Sequence, residues 1–331
     1  MYKLIPTCLI VFLIIISSNA QNPNLGTAGA QFLKIPVGAK AAALGGSVTG
    51  FNGEALTMFW NPAGLTGVSQ NSAHFSYMRW FDMFDFNAAG FARNFGPLGV
   101  FGFGVIVFST DEMEVTTEND PNGTGRYFDA RDLALSLSYA RKLTNRFSAG
   151  ISAKYIYQRI WNETANGFAF DVGSQFSVDF QNTIIAMSMS NFGPDLRLSG
   201  ADLNIKYDGD AMYPNRLLPA TYETETYPLP LNFQFGVSFD LVQQRFLKIR
   251  GAVDAVHPND NDERLQFGME AAVFDILMLR AGLKMKHDDE DANFGLGFQR
   301  QLGHYLVKLD YGYSLYSVLP DVHFISAGFD F

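Results

Sequence analysis

The side chains able to do chemistry in this chain are charges set at every second position of otherwise apolar runs. Lys154, Asp171, Lys248, Arg250, Asp254, Glu270, Arg280, Lys284, Lys308 and Asp310 each fall on the small or polar side of such a run. Both signs occur, so they can pair across an enclosed interior. Two uses fit them. One is a polar path or a docking surface for an internal segment. The other is a salt-bridged network that fills an interior, and it is preferred because buried charges are usually paired. Enzyme chemistry has little support. The five histidines, His74, His257, His287, His304 and His323, are scattered, and G-x-S-x-G, H-E-x-x-H, P-loop and G-x-G-x-x-G patterns are absent. The acidic runs Asn259–Glu263 and Asp288–Asp291 lack the glycine and distal glutamate of an EF-hand loop and read as solvated surface. No catalytic residue, metal or cofactor is expected.

The elements that must position these charges are strands. Asp132–Val178 is the clearest case. Leu133, Leu135, Leu137 and Tyr139 alternate with Ala134, Ser136, Ser138 and Ala140. After the short link Lys142–Arg146, the alternation resumes at Phe147, Ala149, Ile151, Ala153, Tyr155 and Tyr157. Phe168, Phe170, Val172, Phe176 and Val178 continue it against Asp171, Gly173, Gln175 and Ser177. Side chains alternate across a strand, so each run has one apolar face and one small or polar face. In a soluble sandwich the apolar face points inward. In a membrane barrel it points outward to lipid, and the polar face lines a lumen.

The rest of the chain favours the barrel. Its 331 residues are 47% hydrophobic and 15% aromatic, yet the only long apolar run is Leu4–Ile16. That run is too short to span a bilayer as a helix. With Lys3 before it and Ser18-Asn19-Ala20 after it, it reads as a secretory leader over residues 1–20. The single cysteine, Cys8, lies inside the leader, so no disulfide scaffold is expected. The formal charge of −9 argues against nucleic acid as a partner.

Residues 21–71 differ in character from the remainder of the chain. Gly38–Leu44 is alanine-rich and helix-competent, and Gly45-Gly46 ends it. Glu54–Phe59 reads as another short turn of helix, broken by Pro62 and Gly64. Residues 72–331 then read as fourteen strands, most near the roughly 9–11 residues that a tilted strand needs to cross a bilayer. Their connections alternate in length. Phe95–Leu98, Lys142–Arg146, Asp179–Gln181, Leu241–Arg245, Asp275-Ile276 and Gln301–Gly303 are short. Those on the other side, such as Ser109–Arg131 and Phe192–Pro228, are longer and mostly polar or acidic, with Phe81–Met83 as an exception. This is the asymmetry of outer-membrane barrels, with the short turns periplasmic. The last strand carries Ile325, Ala327, Phe329 and Phe331 on one face. A terminal aromatic there resembles the signal read in outer-membrane assembly, which assigns that role to Phe329 and Phe331.

Two stretches carry a family resemblance. Gly29–Gly46, read as GAQFLKIPVGAKAAALGG, and Trp60-Asn61-Pro62-Ala63-Gly64-Leu65 together resemble the start of PorV/PorQ-family proteins. These are outer-membrane barrels of Bacteroidota, similar in fold to the FadL transporters, with which the Asn-Pro-Ala-Gly element is shared. The resemblance implies an all-β, fourteen-stranded antiparallel barrel with residues 21–71 as a lumenal plug of short helices. It also implies a place in the type IX secretion system.

Trp60, Asn61, Pro62, Ala63 and Gly64 then become a plug motif that either gates the lumen or only caps a short helix. Trp60 and Phe59 either touch a hydrophobic ligand or, as preferred, pack on the wall. The expected partners are outer-membrane lipid, with secreted cargo or other secretion components at the rim of the long loops. A hydrophobic small molecule is the alternative, for a FadL-like transporter. Catalytic barrels such as outer-membrane phospholipases exist, but no Ser/His pairing of their kind is found here by spacing. In the wall, Leu137 is expected to face lipid and Ser136 the lumen, so that Leu137→Arg should cost more than Ser136→Arg.

Overall fold

A computed structural model describes residues 24–208, 217–285 and 290–331. The expected leader, His287, Asp288 and Asp289 lie outside the described residues. The wall consists of β1 (Asn71–Trp80), β2 (Phe84–Asn94), β3 (Val100–Thr110), β4 (Ala130–Lys142), β5 (Phe147–Ile160), β6 (Glu163–Val178) and β7 (Thr183–Phe192). It continues as β8 (Asn232–Gln243), β9 (Leu247–Pro258), β10 (Arg264–Val273), β11 (Leu277–Met285), β12 (Glu290–Leu302), β13 (Tyr305–Tyr316) and β14 (Val322–Asp330). Each strand pairs antiparallel with the next, and β14 pairs back onto β1 through Ser326↔Ser76. The ring of fourteen is therefore closed and leaves no free edge. Phe331 completes the seam, its N–H donating to the Asn71 carbonyl at 3.0 Å while its own carbonyl accepts from Asn71 N–H at 2.9 Å.

Exposure decides between the two readings of the alternation. Leu137 is 64% exposed, Ile151 47% and Phe168 61%, whereas Ser136 is 2%, Ser152 0% and Asp171 1% exposed. The apolar face is the outer one. Water does not tolerate an exposed apolar band that encircles a protein, but a bilayer requires one. Exposed aromatics stand at both ends of the band as well as within it, as at Phe75 and Phe103. Phe95, Phe180, Phe246, Phe274 and Tyr305 lie by the short turns, and Tyr77, Phe192, Phe233 and Tyr311 by the long loops. Such girdles mark the two interfaces of a membrane barrel.

The longest loop does two things. Its base folds inward: Leu196-Arg197 pairs with Thr226-Tyr227, Leu196 is 2% exposed, and Gly29 N–H donates to the Pro228 carbonyl at 3.0 Å. Its outer part is a hairpin of Asn204–Asp208 against Leu217–Thr221. Because Glu118 and Asp202 are exposed on long loops and Asn145 on a short turn, orientation is directly testable. A membrane-impermeant maleimide is expected to label Glu118→Cys and Asp202→Cys on intact cells, and Asn145→Cys only after permeabilisation. The reverse pattern would invert the barrel.

Candidate functional site

The N-terminal segment, residues 24–70, has little regular structure: α1 (Ala39–Ala43), α2 (Thr57–Trp60) and two 3₁₀ turns, Gln31–Lys34 and Pro62–Gly67. Gly45 and Gly46, at φ 63° and 81°, stop α1 in the left-handed region that suits glycine. What fixes the segment is the wall. Ala39 N–H donates to Ser326 Oγ on β14 at 2.9 Å, and Ala55 N–H to Ser72 Oγ on β1 at 3.1 Å. Thr66 Oγ1 donates to Ser148 Oγ on β5 at 3.1 Å. Ser188 Oγ on β7 donates to the Trp60 carbonyl at 2.9 Å, and Thr49 N–H donates to Asp254 on β9 at 3.0 Å. The bonds thus run to inward-facing residues all round the ring.

Asn61 explains the Trp-Asn-Pro-Ala-Gly element. It is wholly buried, and its Oδ1 accepts from Ala63 N–H at 3.1 Å, which starts the turn that Pro62 enters. Its Nδ2 donates to the Thr49 carbonyl at 3.0 Å and to the Ser174 carbonyl on β6 at 3.1 Å. One side chain therefore ties two parts of the segment to the wall. Gly64 permits the return, since a Cβ there would lie 2.7 Å from the Phe51 carbonyl. Trp60 is 7% exposed and donates from Nε1 to the Val37 carbonyl at 2.9 Å.

The sequence-derived charges all point inward, in two groups. On the side of the long loops, Lys154 pairs with Asp171 at 2.7 Å and Lys284 with Glu290 at 2.5 Å. On the side of the short turns, Arg280 bridges Glu270 at 2.6 Å and Asp310 at 2.5 Å. Near them Lys308 meets Asp330 at 2.6 Å, Arg250 meets Asp240 at 2.9 Å, and Lys248 meets Asp275 at 2.7 Å. Asp254 is the exception: among the described residues it pairs with no cation and accepts from Thr49 N–H and Oγ1. Several partners escaped sequence reasoning, notably Lys40 and Glu54 of the segment, 2.9 Å apart. Burial pushes the Glu54 carboxyl up, but the combined charges of Lys40, His74 and Lys308 outweigh it and hold it below the ordinary carboxylate range. Its ionised form therefore supports the fold at neutral pH, and that support is lost progressively as pH falls from the ordinary carboxylate range through the depressed value.

Two cavities border these groups. One of about 510 Å³ lies toward the long loops, between the segment and the upper wall. A second, of about 340 Å³, lies toward the short turns and includes Glu270, Arg280, Lys308, Lys40 and Glu54 in its lining. Phe59, whose ring lies over Gly104 of β3, and Trp60 both border the first. The described residues also bring together Ser72, His74 and Glu54, with Ser72 Oγ 3.3 Å from His74 Nδ1 and His74 Nε2 3.4 Å from Glu54. Ser72 is 0% exposed and already accepts from Ala55 N–H, so this chain of groups fastens the segment to β1.

A closed, even-stranded barrel with an apolar outer band and a charged lumen is an outer-membrane β-barrel. Within that class, residues 17–257 match the family model described as type IX secretion system protein PorV. The match spans most of the chain, which belongs to that family and is a type IX secretion-associated outer-membrane barrel. No curated protein sequence matches it. Solved structures match in fold. The Ralstonia pickettii toluene transporter TbuX aligns at TM-score 0.55 and 13% identity over 88% of this chain and 96% of its own. A Pseudomonas aeruginosa FadL homologue aligns at TM-score 0.56 and 12% identity over 89% of this chain and 98% of its own. The Pseudomonas putida toluene transporter TodX gives TM-score 0.55 and 13% identity over 88% and 96%.

Proposed function

We propose that the protein acts at its extracellular rim, without catalysis, docking secreted proteins or other components of the type IX machinery. In this reading residues 21–71 plug the lumen, so the barrel is a platform and not an open pore. The supporting observation is the set of bonds from Ala39, Thr49, Ala55, Trp60 and Thr66 to strands all round the ring. A polypeptide has no room to pass where that segment lies. The outer hairpin of the longest loop offers a contact surface, with Tyr207 57%, Leu218 51% and Tyr222 62% exposed. Exposed aromatics are common anchors of protein interfaces.

The test must spare the base of that loop, because Leu196 and Tyr227 help close the barrel mouth. Replacing residues 204–222 by a short Gly-Ser link is expected to abolish recovery of secreted proteins with the barrel from native membranes. Heat-modifiability of the barrel should be unchanged. A second reading, transport of hydrophobic molecules, draws on the cavity of about 510 Å³ beside Phe59 and Trp60. Unchanged cargo recovery from the shortened chain, with loss of uptake of such molecules, would favour it.

A further inference from the structure

The larger cavity has two unlike walls. Trp80 of β1, Phe84 of β2, Ile106 and Phe108 of β3 and Tyr316 of β13 form an apolar arc. Lys154 of β5, Asn191 of β7, Asn232 of β8, Arg264 and Gln266 of β10 and Lys284 of β11 form a polar arc facing it. The polar groups are spread along one side of the cavity, not gathered at one end. Three of them end in buried atoms with no hydrogen-bond partner among the described residues: Asn232 Oδ1, Arg264 Nε and Gln266 Oε1. Buried polar atoms of this kind are uncommon and call for a partner.

Charge points the same way. Lys154 and Lys284 are each held by a carboxylate, at 2.7 Å and 2.5 Å. Arg264 has Asp260 and Glu290 as acidic neighbours, but Lys34 holds the first at 2.9 Å and Lys284 the second at 2.5 Å. A guanidinium with unused donors suits a carboxylate, which it can meet with two parallel bonds. Two unused amide oxygens nearby suit hydroxyl donors.

We propose that this cavity binds a hydroxylated cyclic carboxylate. Its ring body lies on the aromatic arc, its carboxylate meets Arg264, and its hydroxyl groups donate to Gln266 and Asn232. The chemistry differs from that of a straight-chain fatty acid, whose only polar group sits at one end. It differs equally from an uncharged monoaromatic, which would leave Arg264 unmet. The site goes beyond the docking role at the rim and does not depend on it.

Equilibrium dialysis of the full-length barrel in nanodiscs tests the site, with 6,7-dihydroxy-2-naphthoate as probe and empty nanodiscs as background. One probe per barrel is expected. Arg264→Gln should weaken binding about tenfold or more, the scale of a charge-assisted pair. The same change should leave 2-naphthol, which has no carboxylate, unaffected. Gln266→Leu should weaken the probe by a smaller factor, and it decides the matter if Arg264→Gln gives no heat-modifiable barrel. Binding no greater than to empty nanodiscs would overturn the site. So would unchanged affinity in either variant, or tighter, Arg264-dependent binding of palmitate.

Discussion

Gly150→Leu is expected to raise single-channel conductance in planar bilayers on the order of tenfold, because a fourteen-strand ring is too wide for wall side chains alone to fill. Gly150 sits on the inner face of β5, directly beneath the turn at Pro62-Ala63. A Cβ there would lie 2.5 Å from Pro62 C, 2.6 Å from Ala63 N and 2.7 Å from Pro62 O. All three are backbone atoms, so no flexible side chain can yield, and the turn Pro62–Gly67 must leave the wall. Its departure strains the bonds of Asn61 to the Ser174 carbonyl and of Thr66 to Ser148. Gly312→Leu should act likewise at the other side of the ring, where a Cβ would meet the Ala39 carbonyl oxygen at 2.7 Å. Ala255→Leu, on the exposed outer face of β9, is the control and should leave conductance unchanged. High conductance of the unaltered protein would end the plug reading. Low conductance in both glycine variants would show that the segment seals the lumen without close contact at these points.

These glycines also mark what was legible in the sequence and what was not. Strand number, facing and the alternation of short and long connections follow from a two-residue period, which each strand writes into its own sequence. Leu137 and Ser136 therefore declare their sides without any knowledge of neighbours. The inner surface met by the segment is written across many strands at once. Gly268 stands opposite Gly282, and Gly295 opposite Gly312, so that a smooth patch spans β10 to β13. α1 lies against it, with Ala43 Cβ at Gly295 and the Ala39 carbonyl at Gly312. A glycine within a strand is a sign of close backbone approach, and that signal was available at each position. Its meaning needed the register.

The charges divide in the same way. Their inward facing was readable one residue at a time, whereas the partners Lys40 and Glu54 lie in a segment without strand periodicity. Loop Phe192–Pro228 was legible only as length. Its base turns inward because Leu196 and Tyr227 are apolar enough to close over the segment, and no short-range pattern announces that.

The largest expected stability effects lie at Leu137 and Ser136, and the structure revises one of them. Leu137→Arg puts a cation into the lipid-facing band at a residue 64% exposed. Near the bilayer midplane that costs about 2–4 kcal/mol. From sequence, a charge at lumen-facing Ser136 is the milder change. The lumen at that point is not free, however. Ser136 is 2% exposed and stands opposite Gly104 in register, over which Met58 and Phe59 already lie. Its other neighbour across the sheet is Lys154, so an arginine would also meet a like charge. Ser136→Arg is therefore expected to lower the fraction of heat-modifiable barrel as severely as Leu137→Arg, through crowding and repulsion inside the ring. Phe59→Ala separates the two causes. It vacates space beside Gly104 and should restore part of the folded fraction to Ser136→Arg, while leaving Leu137→Arg as impaired as before. Equal rescue of both, or a wild-type folded fraction for Ser136→Arg alone, would mean that Met58 and Phe59 do not occupy this part of the lumen in the membrane.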